Sequence, residues 1–415
     1  MSDEPRLINK LNSLGLLHST MGEYFGRLKN ASVSGSKKVA WCTSVGPAEL
    51  LYSMGFEVYF PENHSAMIAS SKKAGQYIPF AVANGYSPEV CSYLTADIGA
   101  FLKKETPLAK FGFQAPPKPD ALVYNNNQCH EVCDWFSFYA DHYQVPMIGI
   151  HTPMGVDELT EDTIAFVAGQ FRRLVPRLEE ISGCPFDEDK FKETIRLSRD
   201  ACRRWRQVLE TARHRPAPIN FFDSSIHMGP IVVMRGTRFA LNYYDTLLAE
   251  LNQRIKNGIG AVPHEDFRLY WEGMPIWFQL SNLARLLAKL RVCVVASTYC
   301  NSWVFDDLDP DKPFESSALA YTKLFIVRSE RIKEQTLNRL LQEFSIDGIV
   351  YHEAKTCPHN SNNRFGLQTR LHRKNGIPFI EIQGDLCDSR CYSEEQSVMA
   401  LETFVGQLRM RNKAK

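Results

Sequence analysis

The segment KKVAWCTSVGPAELLYSMGFEVYF, residues 37–60, contains two short apolar runs separated by a helical pattern that ends at Gly55. This pattern predicts a buried strand, a helix and a second strand. After a longer helical stretch, DALVYNNN at 120–127 and VPMIGIHTP at 145–153 predict two more strands. Alternating strands and helices form parallel sheets, because each helix returns the chain across one face. We therefore expect residues 1–155 to form a doubly wound α/β domain.

The same alternation returns in the last third of the chain. Four more strands, each followed by a helical pattern, are predicted from FRLYWEGMPIW (267–277), RVCVVASTYC (291–300), IDGIVYHEAKTC (346–357) and IPFIEIQGD (377–385). Between the two halves, residues 163–181 and 187–212 carry apolar residues at three- and four-residue steps, which is typical of amphipathic helices. The predicted architecture is α/β, with two doubly wound, mostly parallel-sheet domains at 1–155 and 261–415 joined by a helical segment at 156–260.

Composition excludes several classes of partner. The 415 residues include 48 basic and 47 acidic side chains, a net charge of +1, so no field attracts nucleic acid or anionic lipid. The N-terminal MSDEPRLINKL lacks the pattern of a signal peptide, and no apolar run reaches membrane-spanning length, which predicts a cytoplasmic protein. Eleven cysteines, an odd number, disfavour a disulfide framework and leave packing, catalysis or metal binding as explanations.

Several of the cysteines lie where an open parallel sheet binds its ligands, beyond the carboxyl ends of strands. Five follow predicted strands directly: Cys129, Cys300, Cys357, Cys387 and Cys391. Two more lie near predicted helix starts, where the helix dipole stabilises a thiolate: Cys91 and Cys133. The remaining four fall inside strands or in the helical segment and are interpreted as packing residues: Cys42, Cys184, Cys202 and Cys293.

The spacing of the seven strand-end and helix-start cysteines leaves their role open. A single cysteine in a tight loop is usually structural, but seven such positions are harder to explain by packing alone. They lack the paired C-x2-C knuckles of a zinc ribbon. Thiolates brought together from distant strands suit an iron–sulfur cluster at least as well as zinc.

An ordered set of motifs extends this interpretation. The set comprises KKVAWCTSVGPAELLYSMGFEVYFPENHSAMIA (37–69), VCSYLTADIG (90–99), NNNQCHEVCDWF (125–136), RPAPINFFDSSIHMG (215–229), RLYWEGMPIW (268–277), IVYHEAKTC (349–357) and GDLCDSRCYS (384–393). In this order the motifs resemble the 2-hydroxyacyl-CoA dehydratase and benzoyl-CoA reductase family of iron–sulfur subunits. The resemblance implies a [4Fe–4S] cluster in the cleft between two α/β domains, held by Cys91, Cys129 and Cys357.

The resemblance also implies a reaction. Three thiolates leave one iron open to water or substrate. In the dehydratases of this family one electron passes to the thioester carbonyl of a 2-hydroxyacyl-CoA, and the resulting ketyl radical expels the neighbouring hydroxyl. Benzoyl-CoA reductases transfer an electron in the same way to an aromatic thioester. In this family the electrons come from a separate ATP-hydrolysing iron–sulfur activator. This chain lacks the ATP-binding motif G-x-x-x-x-G-K-[ST] and therefore resembles the protein that receives the electrons.

Two further positions match residues that the dehydratases use near their substrate. Ser44, at the end of the first predicted strand, is expected to hydrogen-bond the thioester oxygen. Glu62, after the second strand, is expected to act as a base or to assist departure of the hydroxide. Without the resemblance, the serine is more simply a helix cap and the glutamate a solvent-facing residue.

Four other residues have two interpretations each. His352 and His359 flank Cys357 and are either proton donors or hydrogen-bonded structural residues. Arg235 and Arg268 either contact a phosphate of coenzyme A or form surface salt bridges.

Cys133, Cys300, Cys387 and Cys391 go beyond what the dehydratases are expected to need. One branch of the family carries a double-cubane cluster on six cysteines and reduces small molecules with ATP-driven electrons. Three of these four cysteines would complete that set. Two branches therefore remain open: a dehydratase that pairs with a related subunit and takes an acyl-CoA, and a homodimeric reductase of small molecules. A third interpretation is an electron-storage or scaffold subunit without substrate chemistry.

Overall fold

The computed structural model describes residues 7–361 and 366–413. Within them, eight strands form two four-stranded, all-parallel sheets. The first sheet contains β1 (Val39–Cys42), β2 (Glu57–Tyr59), β3 (Ala121–Asn125) and β4 (Met147–Ile150), in the spatial order β2-β1-β3-β4. The second contains β5 (Phe267–Glu272), β6 (Val292–Ser297), β7 (Gly348–Ala354) and β8 (Phe379–Gly384), in the equivalent order β6-β5-β7-β8.

The central strand of each sheet is covered on both faces. Every residue of β1 and of β5 is buried, which is expected of central parallel strands that carry helices on both sides. Strand order reverses direction beside β1 in the first sheet and beside β5 in the second, as it does in doubly wound folds. The predicted fold class is therefore confirmed.

The helices alternate with the strands. In the first half they are α1 (Leu14–Ser34), α2 (Ala48–Ser53), α3 (Pro61–Ser70), α4 (Ala74–Ala83), α5 (Ser92–Leu102) and α6 (Glu131–Tyr143). The middle of the chain contains α7 (Glu161–Ser182), α8 (Glu188–Glu210), α9 (Phe221–His227), α10 (Gly229–Val233) and α11 (Arg238–Lys256). The second half contains α12 (Leu280–Lys289), α13 (Thr298–Asn301), α14 (Pro313–Thr322), α15 (Glu330–Glu343), α16 (Leu367–Asn375) and α17 (Glu394–Lys413).

The middle helices pack against both sheet units. Helix α8 contacts α2 of the first half and α11, whereas α7 contacts α14 of the second half. Buried Trp205 on α8 donates a hydrogen bond from Nε1 to the Cys300 carbonyl oxygen, at 3.1 Å. These contacts tie the two sheets together through one hydrophobic core. The domain limits at 155 and 260 stay predictions.

Candidate active site

The exits of seven strands line one cavity of about 880 Å³. Its wall includes one residue from the segment after each of these strands: Ser44, Glu62, Cys129, Met274, Tyr299, Cys357 and Leu386. Parallel strands present their carboxyl ends at the same edge of a sheet, so the loops of both sheets converge here. The cavity is therefore where the fold brings residues from both halves of the chain together.

Three cysteines line this cavity, and each precedes a turn of helix or lies at a helix start. Cys91 is the N-cap residue of α5, Cys129 lies two residues before α6, and Cys357 precedes a short 3₁₀ turn. The first two therefore lie at the positive ends of helices of 11 and 13 residues. A helix N-terminus stabilises a thiolate or an anionic metal cluster.

The three thiols are close enough to perturb one another. Burial raises the pKa of Cys91 well above its ordinary value, and the neighbouring Cys357 and Cys129 raise it further. Burial likewise raises the pKa of Cys357, and the neighbouring Cys129 raises it further. Burial raises the pKa of Cys129 to about 12, although the Val132 backbone N–H opposes this shift. The thiols thus form one group in a site of low polarity.

Glu131 connects two of these cysteines. It lies in the first turn of α6, two residues after Cys129, and its Oε2 accepts a hydrogen bond from the Cys91 backbone N–H at 2.8 Å. The start of α5 is therefore held against the start of α6. Glu131 also lines the cavity, which places a carboxylate between the two helix ends that carry the thiols.

The donor set fits an iron–sulfur cluster. In the described part of the chain, no three His, Cys, Asp or Glu side chains converge on a point where a single ion would touch them all. Ligands of one zinc ion lie about 2.0–2.3 Å from it. The cysteines of a cubane bind separate irons and are farther apart. Three thiols that line one cavity from separate segments, two of them at helix N-termini, are a donor set of the kind that an iron–sulfur cluster takes.

Ser44 and Glu62 are in direct contact beside the thiols. Glu62, in the first turn of α3, accepts a hydrogen bond from the Ser44 backbone N–H through Oε2 and one from Gln128 Nε2 through Oε1, at 3.0 Å. Burial raises the pKa of Glu62 to about 7, while its contacts with Ser44 lower it. A carboxyl group with this pKa exchanges its proton near neutral pH, as a general acid or base does.

The turn after β1 fixes the position of Ser44. A Cβ on Gly46 would lie 2.7 Å from Cys42 Sγ and 2.8 Å from Thr43 Oγ1, so only glycine fits. Fully buried Arg235 donates to the Gly46 carbonyl oxygen from Nη2 at 2.9 Å and pairs with Glu49 at 3.2 Å. The loop that carries Ser44 is therefore held from behind by a buried ion pair.

The family is established by comparison with known proteins. A family model described as 2-hydroxyglutaryl-CoA dehydratase, D-component, matches residues 43–408. The chain belongs to this family. The match includes Ser44, Glu62 and the three cavity cysteines. The resemblance inferred from the sequence motifs is therefore confirmed.

Relatives of this dehydratase-family chain align along most of its length. The lactoyl-CoA dehydratase subunit alpha of Anaerotignum propionicum is 30% identical, covering 88% of this chain and 90% of its own. The (R)-2-hydroxyisocaproyl-CoA dehydratase alpha subunit of Clostridioides difficile is 29% identical, covering 96% of both. A benzoyl-CoA reductase subunit of Thauera aromatica is 27% identical, covering 96% of this chain and 95% of its own. The prediction of a 2-hydroxyacyl-CoA dehydratase-like enzyme is confirmed.

The other four candidate cysteines of this dehydratase-family chain do not line the cavity. Cys133 is half-buried on α6, and Cys391 lies in a short 3₁₀ turn after β8. Cys300 is buried on α13, with its Sγ 4.0 Å from Ser225 Oγ. Cys387 is also buried, and its Sγ contacts the Ser65 carbonyl oxygen at 3.6 Å. The structure therefore brings three of the seven candidate thiols to one cavity.

The two candidate histidines and the two candidate arginines occupy different environments. His359 lines the cavity, whereas His352 is buried beside it, with Nδ1 2.6 Å from the Met274 carbonyl oxygen. Burial lowers the pKa of His352 to about 4, so its ring is neutral at physiological pH. Arg235 and Arg268 are both fully buried, and Arg268 pairs with Glu265 at 2.8 Å. The expectation that the two arginines contact a phosphate, or form surface salt bridges, is wrong.

Sequence reasoning missed several residues of the site. Tyr299 lines the cavity from the start of α13. Burial raises its pKa, and Cys300, Glu62 and Cys357 add to the shift, so the phenol lies near the carboxylate and the thiols. An aromatic residue after a strand carries no local signal of such a position. Its position beyond a predicted strand, next to Cys300, was the one available signal, and that signal does not separate a cavity residue from a packed one.

The cavity has apolar walls and a basic mouth. Aromatic side chains such as Trp135, Trp277 and Trp303 form part of the wall. His18, Lys73 and Lys110 line the cavity while being exposed to solvent, and these three basic side chains form what we call its mouth. Among residues 7–361 and 366–413, no helix is both long enough and apolar enough to cross a bilayer.

Proposed function

We propose that this chain is the catalytic subunit of a 2-hydroxyacyl-CoA dehydratase that forms an enoyl-CoA. The observation that carries the proposal is that Cys91, Cys129 and Cys357 share one cavity with Ser44 and Glu62. Relatives named as dehydratase alpha subunits, aligned along nearly the whole chain, support the same reaction. Because those relatives are named as subunits, we also propose a heterodimer with a related chain.

The proposed cofactor is one [4Fe–4S] cluster on Cys91, Cys129 and Cys357. When bound, such a cluster supplies a low-potential electron and one iron without a cysteine ligand. The location of Cys133, Cys300, Cys387 and Cys391 away from the cavity supports a single cubane over a double-cubane centre. A separate ATP-hydrolysing iron–sulfur protein is the proposed electron donor, because the sequence has no ATP-binding P-loop motif of its own.

Ser44 and Glu62 would act directly on the substrate. The net reaction removes the hydroxyl from C2 and a proton from C3, and yields the enoyl thioester and water. The Ser44 hydroxyl, which contacts Glu62 in the free protein, would turn to donate a hydrogen bond to the thioester oxygen, while the Ser44 backbone N–H stays bound to Glu62. Glu62, with a pKa of about 7, would accept the C3 proton and pass it to the departing hydroxide.

The shape of the cavity suits a CoA thioester. Its aromatic and aliphatic wall would exclude water from the acyl group, which strengthens electrostatic contacts with the thioester. The exposed Lys73 and Lys110 at the mouth would attract the phosphates of coenzyme A, replacing the two buried arginines in that role. The acyl group would then point inward toward Glu62.

Reduction of an aromatic acyl-CoA is a second candidate. The relative from Thauera aromatica, named as a subunit of benzoyl-CoA reductase, aligns along 96% of this chain. The tryptophan-rich wall of the cavity would also accept an aromatic ring. An assay that compares dehydration of 2-hydroxyacyl-CoA with ring reduction of benzoyl-CoA separates the two reactions directly.

The decisive experiment is metal analysis of protein purified without oxygen. One cubane predicts about four iron and about four acid-labile sulfide per chain, and a double-cubane centre predicts about twice as much. Zinc without iron would refute every cluster proposal. Enoyl-CoA formation is then measured with the partner subunit and an activator. Loss of turnover in Ser44→Ala or Glu62→Gln, with unchanged iron content, excludes an electron-storage role.

A further inference from the structure

A buried carboxylate lies directly behind the cavity. Asp385 follows the end of β8 and is 0% exposed. It accepts hydrogen bonds from the Thr356 backbone N–H at 2.8 Å, Thr356 Oγ1 at 2.7 Å, the Cys387 N–H at 3.0 Å and the Asp388 N–H at 3.1 Å. The Ser92 hydroxyl donates a fifth hydrogen bond to it.

These partners adjoin two of the proposed cluster ligands. Thr356 immediately precedes Cys357, and Ser92 immediately follows Cys91. Thr356 Oγ1 also accepts a hydrogen bond from the Ser92 backbone N–H at 3.0 Å, across 264 positions of sequence. Cys91 belongs to the first half of the fold and Cys357 to the second. Asp385 and Thr356 therefore form a buried polar link between the two loops that carry these cysteines, in addition to the exposed ion pair of Lys355 with Glu89 at 3.7 Å.

The link is sensitive to any change because it is fully buried. All five groups donate to Asp385, which acts only as an acceptor. No lysine or arginine in the described part of the chain forms an ion pair with it, whereas nearby Asp388 pairs with Arg390 at 2.6 Å. A buried carboxylate held by neutral donors depends on each of them, because a buried polar group left without its partner is costly.

We propose that Asp385 is a positioning residue that sets the separation of Cys91 and Cys357, and that its negative charge keeps the reduction potential of the bound cluster low. The proposal rests on the proposed function, because it assumes that these cysteines bind a cluster. Outer-shell partners orient metal ligands, and a nearby buried anion disfavours an added electron. A low potential is the property that a donor to a thioester needs.

The first test uses metal-free protein. Asp385→Asn, Thr356→Val and Ser92→Ala are compared with Asp388→Asn, a matched control with an aspartate that is 3% exposed in the same loop. Alkylation of Cys91 and Cys357 is followed by mass spectrometry. We expect faster alkylation in the three test variants and the wild-type rate in the control. Wild-type rates in all four variants would overturn the positioning role, independently of any cluster.

The second test uses cluster-loaded protein. Iron release to a chelator should be about 10-fold or more faster in Asp385→Asn, the scale seen when outer-shell partners are removed. The midpoint potential should become more positive in Asp385→Asn but change little in Thr356→Val, which keeps the carboxylate. Asp388→Asn should match the wild type in both measurements. An unchanged potential in Asp385→Asn would overturn the electrostatic role.

These outcomes separate the inference from the proposed function. If wild-type protein binds no iron, the proposed function fails before Asp385 is tested. If the wild type binds its cluster and Asp385→Asn behaves like Asp388→Asn, only the inference about Asp385 fails. Should Asp385→Asn not fold, iron release from Thr356→Val and Ser92→Ala decides the positioning role, with wild-type rates counting against it.

Discussion

Gln128 donates a hydrogen bond from Nε2 to Glu62 Oε1 at 3.0 Å, which joins the candidate acid–base residue to the loop that carries Cys129. The second carboxylate oxygen of Glu62 is bound to the Ser44 N–H. Glu62 is therefore fixed between a residue beside a proposed cluster ligand and a residue proposed to contact the substrate. Its position and its pKa of about 7 are set by the same partly buried environment.

The activity of the enzyme should change near pH 7 through the ionisation of Glu62. Burial raises its pKa to about 7, so the carboxylate form predominates only above that value. If Glu62 accepts the C3 proton, turnover rises as the pH increases through 7. Turnover that falls over this range would instead assign Glu62 the role of acid. The measurement is the pH dependence of kcat for the wild type and Glu62→Gln, and the variant should lose the inflection.

Stability should also depend on this group. The pKa of Glu62 is raised in the folded protein, so the folded state holds a proton that the unfolded state releases. The contribution of this bound proton to the free energy of unfolding is complete below the pKa that Glu62 has in the unfolded chain. It is lost as the pH rises through about 7. Metal-free Glu62→Gln should therefore gain stability relative to the wild type between pH 5 and pH 8. Chemical denaturation at both pH values measures this difference, and a constant difference would contradict the raised pKa.

Ser44→Ala should reduce turnover by about 100- to 1,000-fold, the range for loss of one hydrogen-bond donor to a developing oxyanion. Cluster content should not change, because the backbone bond from Ser44 to Glu62 remains. The side chain of Ser44 also lowers the pKa of Glu62, so the pH inflection should move upward in the variant. Ser53→Ala is the control, since Ser53 is buried in α2 and its hydroxyl donates to the Leu50 carbonyl oxygen at 2.8 Å, within its own helix.

The sequence was sufficient to predict the parallel sheets and the strand-end position of the key thiols. The apolar run around β1 and the glycine that ends its following helix specify local structure directly. Cys129 and Cys357 follow strands, and the rule that such loops converge applies to both. Cys91 became a candidate through its position at a predicted helix start, and the resemblance then assigned it, with Cys129 and Cys357, to the cluster.

The remaining features depend on packing that sequence patterns do not encode. Cys300 and Cys387 follow strands as closely as Cys129 does, yet both sulfurs point into buried protein contacts. Asp385 resembles an ordinary loop aspartate in the sequence, and its five donors come from three separate segments. Arg235 is buried against Glu49 from a distant helix. Long-range pairings of this kind appear only once the sheets are assembled.

Replacement of single cysteines should divide the seven candidates into two groups. Alanine at Cys91, Cys129 or Cys357 should abolish or strongly reduce iron binding, because each removes one cluster ligand. Alanine at the four cysteines away from the cavity should leave iron content and the cluster spectrum unchanged: Cys133, Cys300, Cys387 and Cys391. Iron and sulfide analysis with electron paramagnetic resonance makes the comparison. Loss of half the iron in any of the last four variants would favour the double-cubane centre.

The basic mouth of the cavity should govern affinity for the CoA part of the substrate. Lys73 and Lys110 are exposed at this mouth, and neither amino group forms an ion pair with a described residue. Exposed charge pairs contribute about 0.2–1 kcal/mol each, so Lys73→Ala or Lys110→Ala should raise KM by roughly 2- to 5-fold with kcat unchanged. Because salt screens exposed charges, KM of the wild type should rise with ionic strength, and that rise should be smaller in the double variant.

Lys118→Ala, an exposed lysine away from the cavity, is the control. Equal KM values in all these variants would place the CoA phosphates elsewhere on the protein.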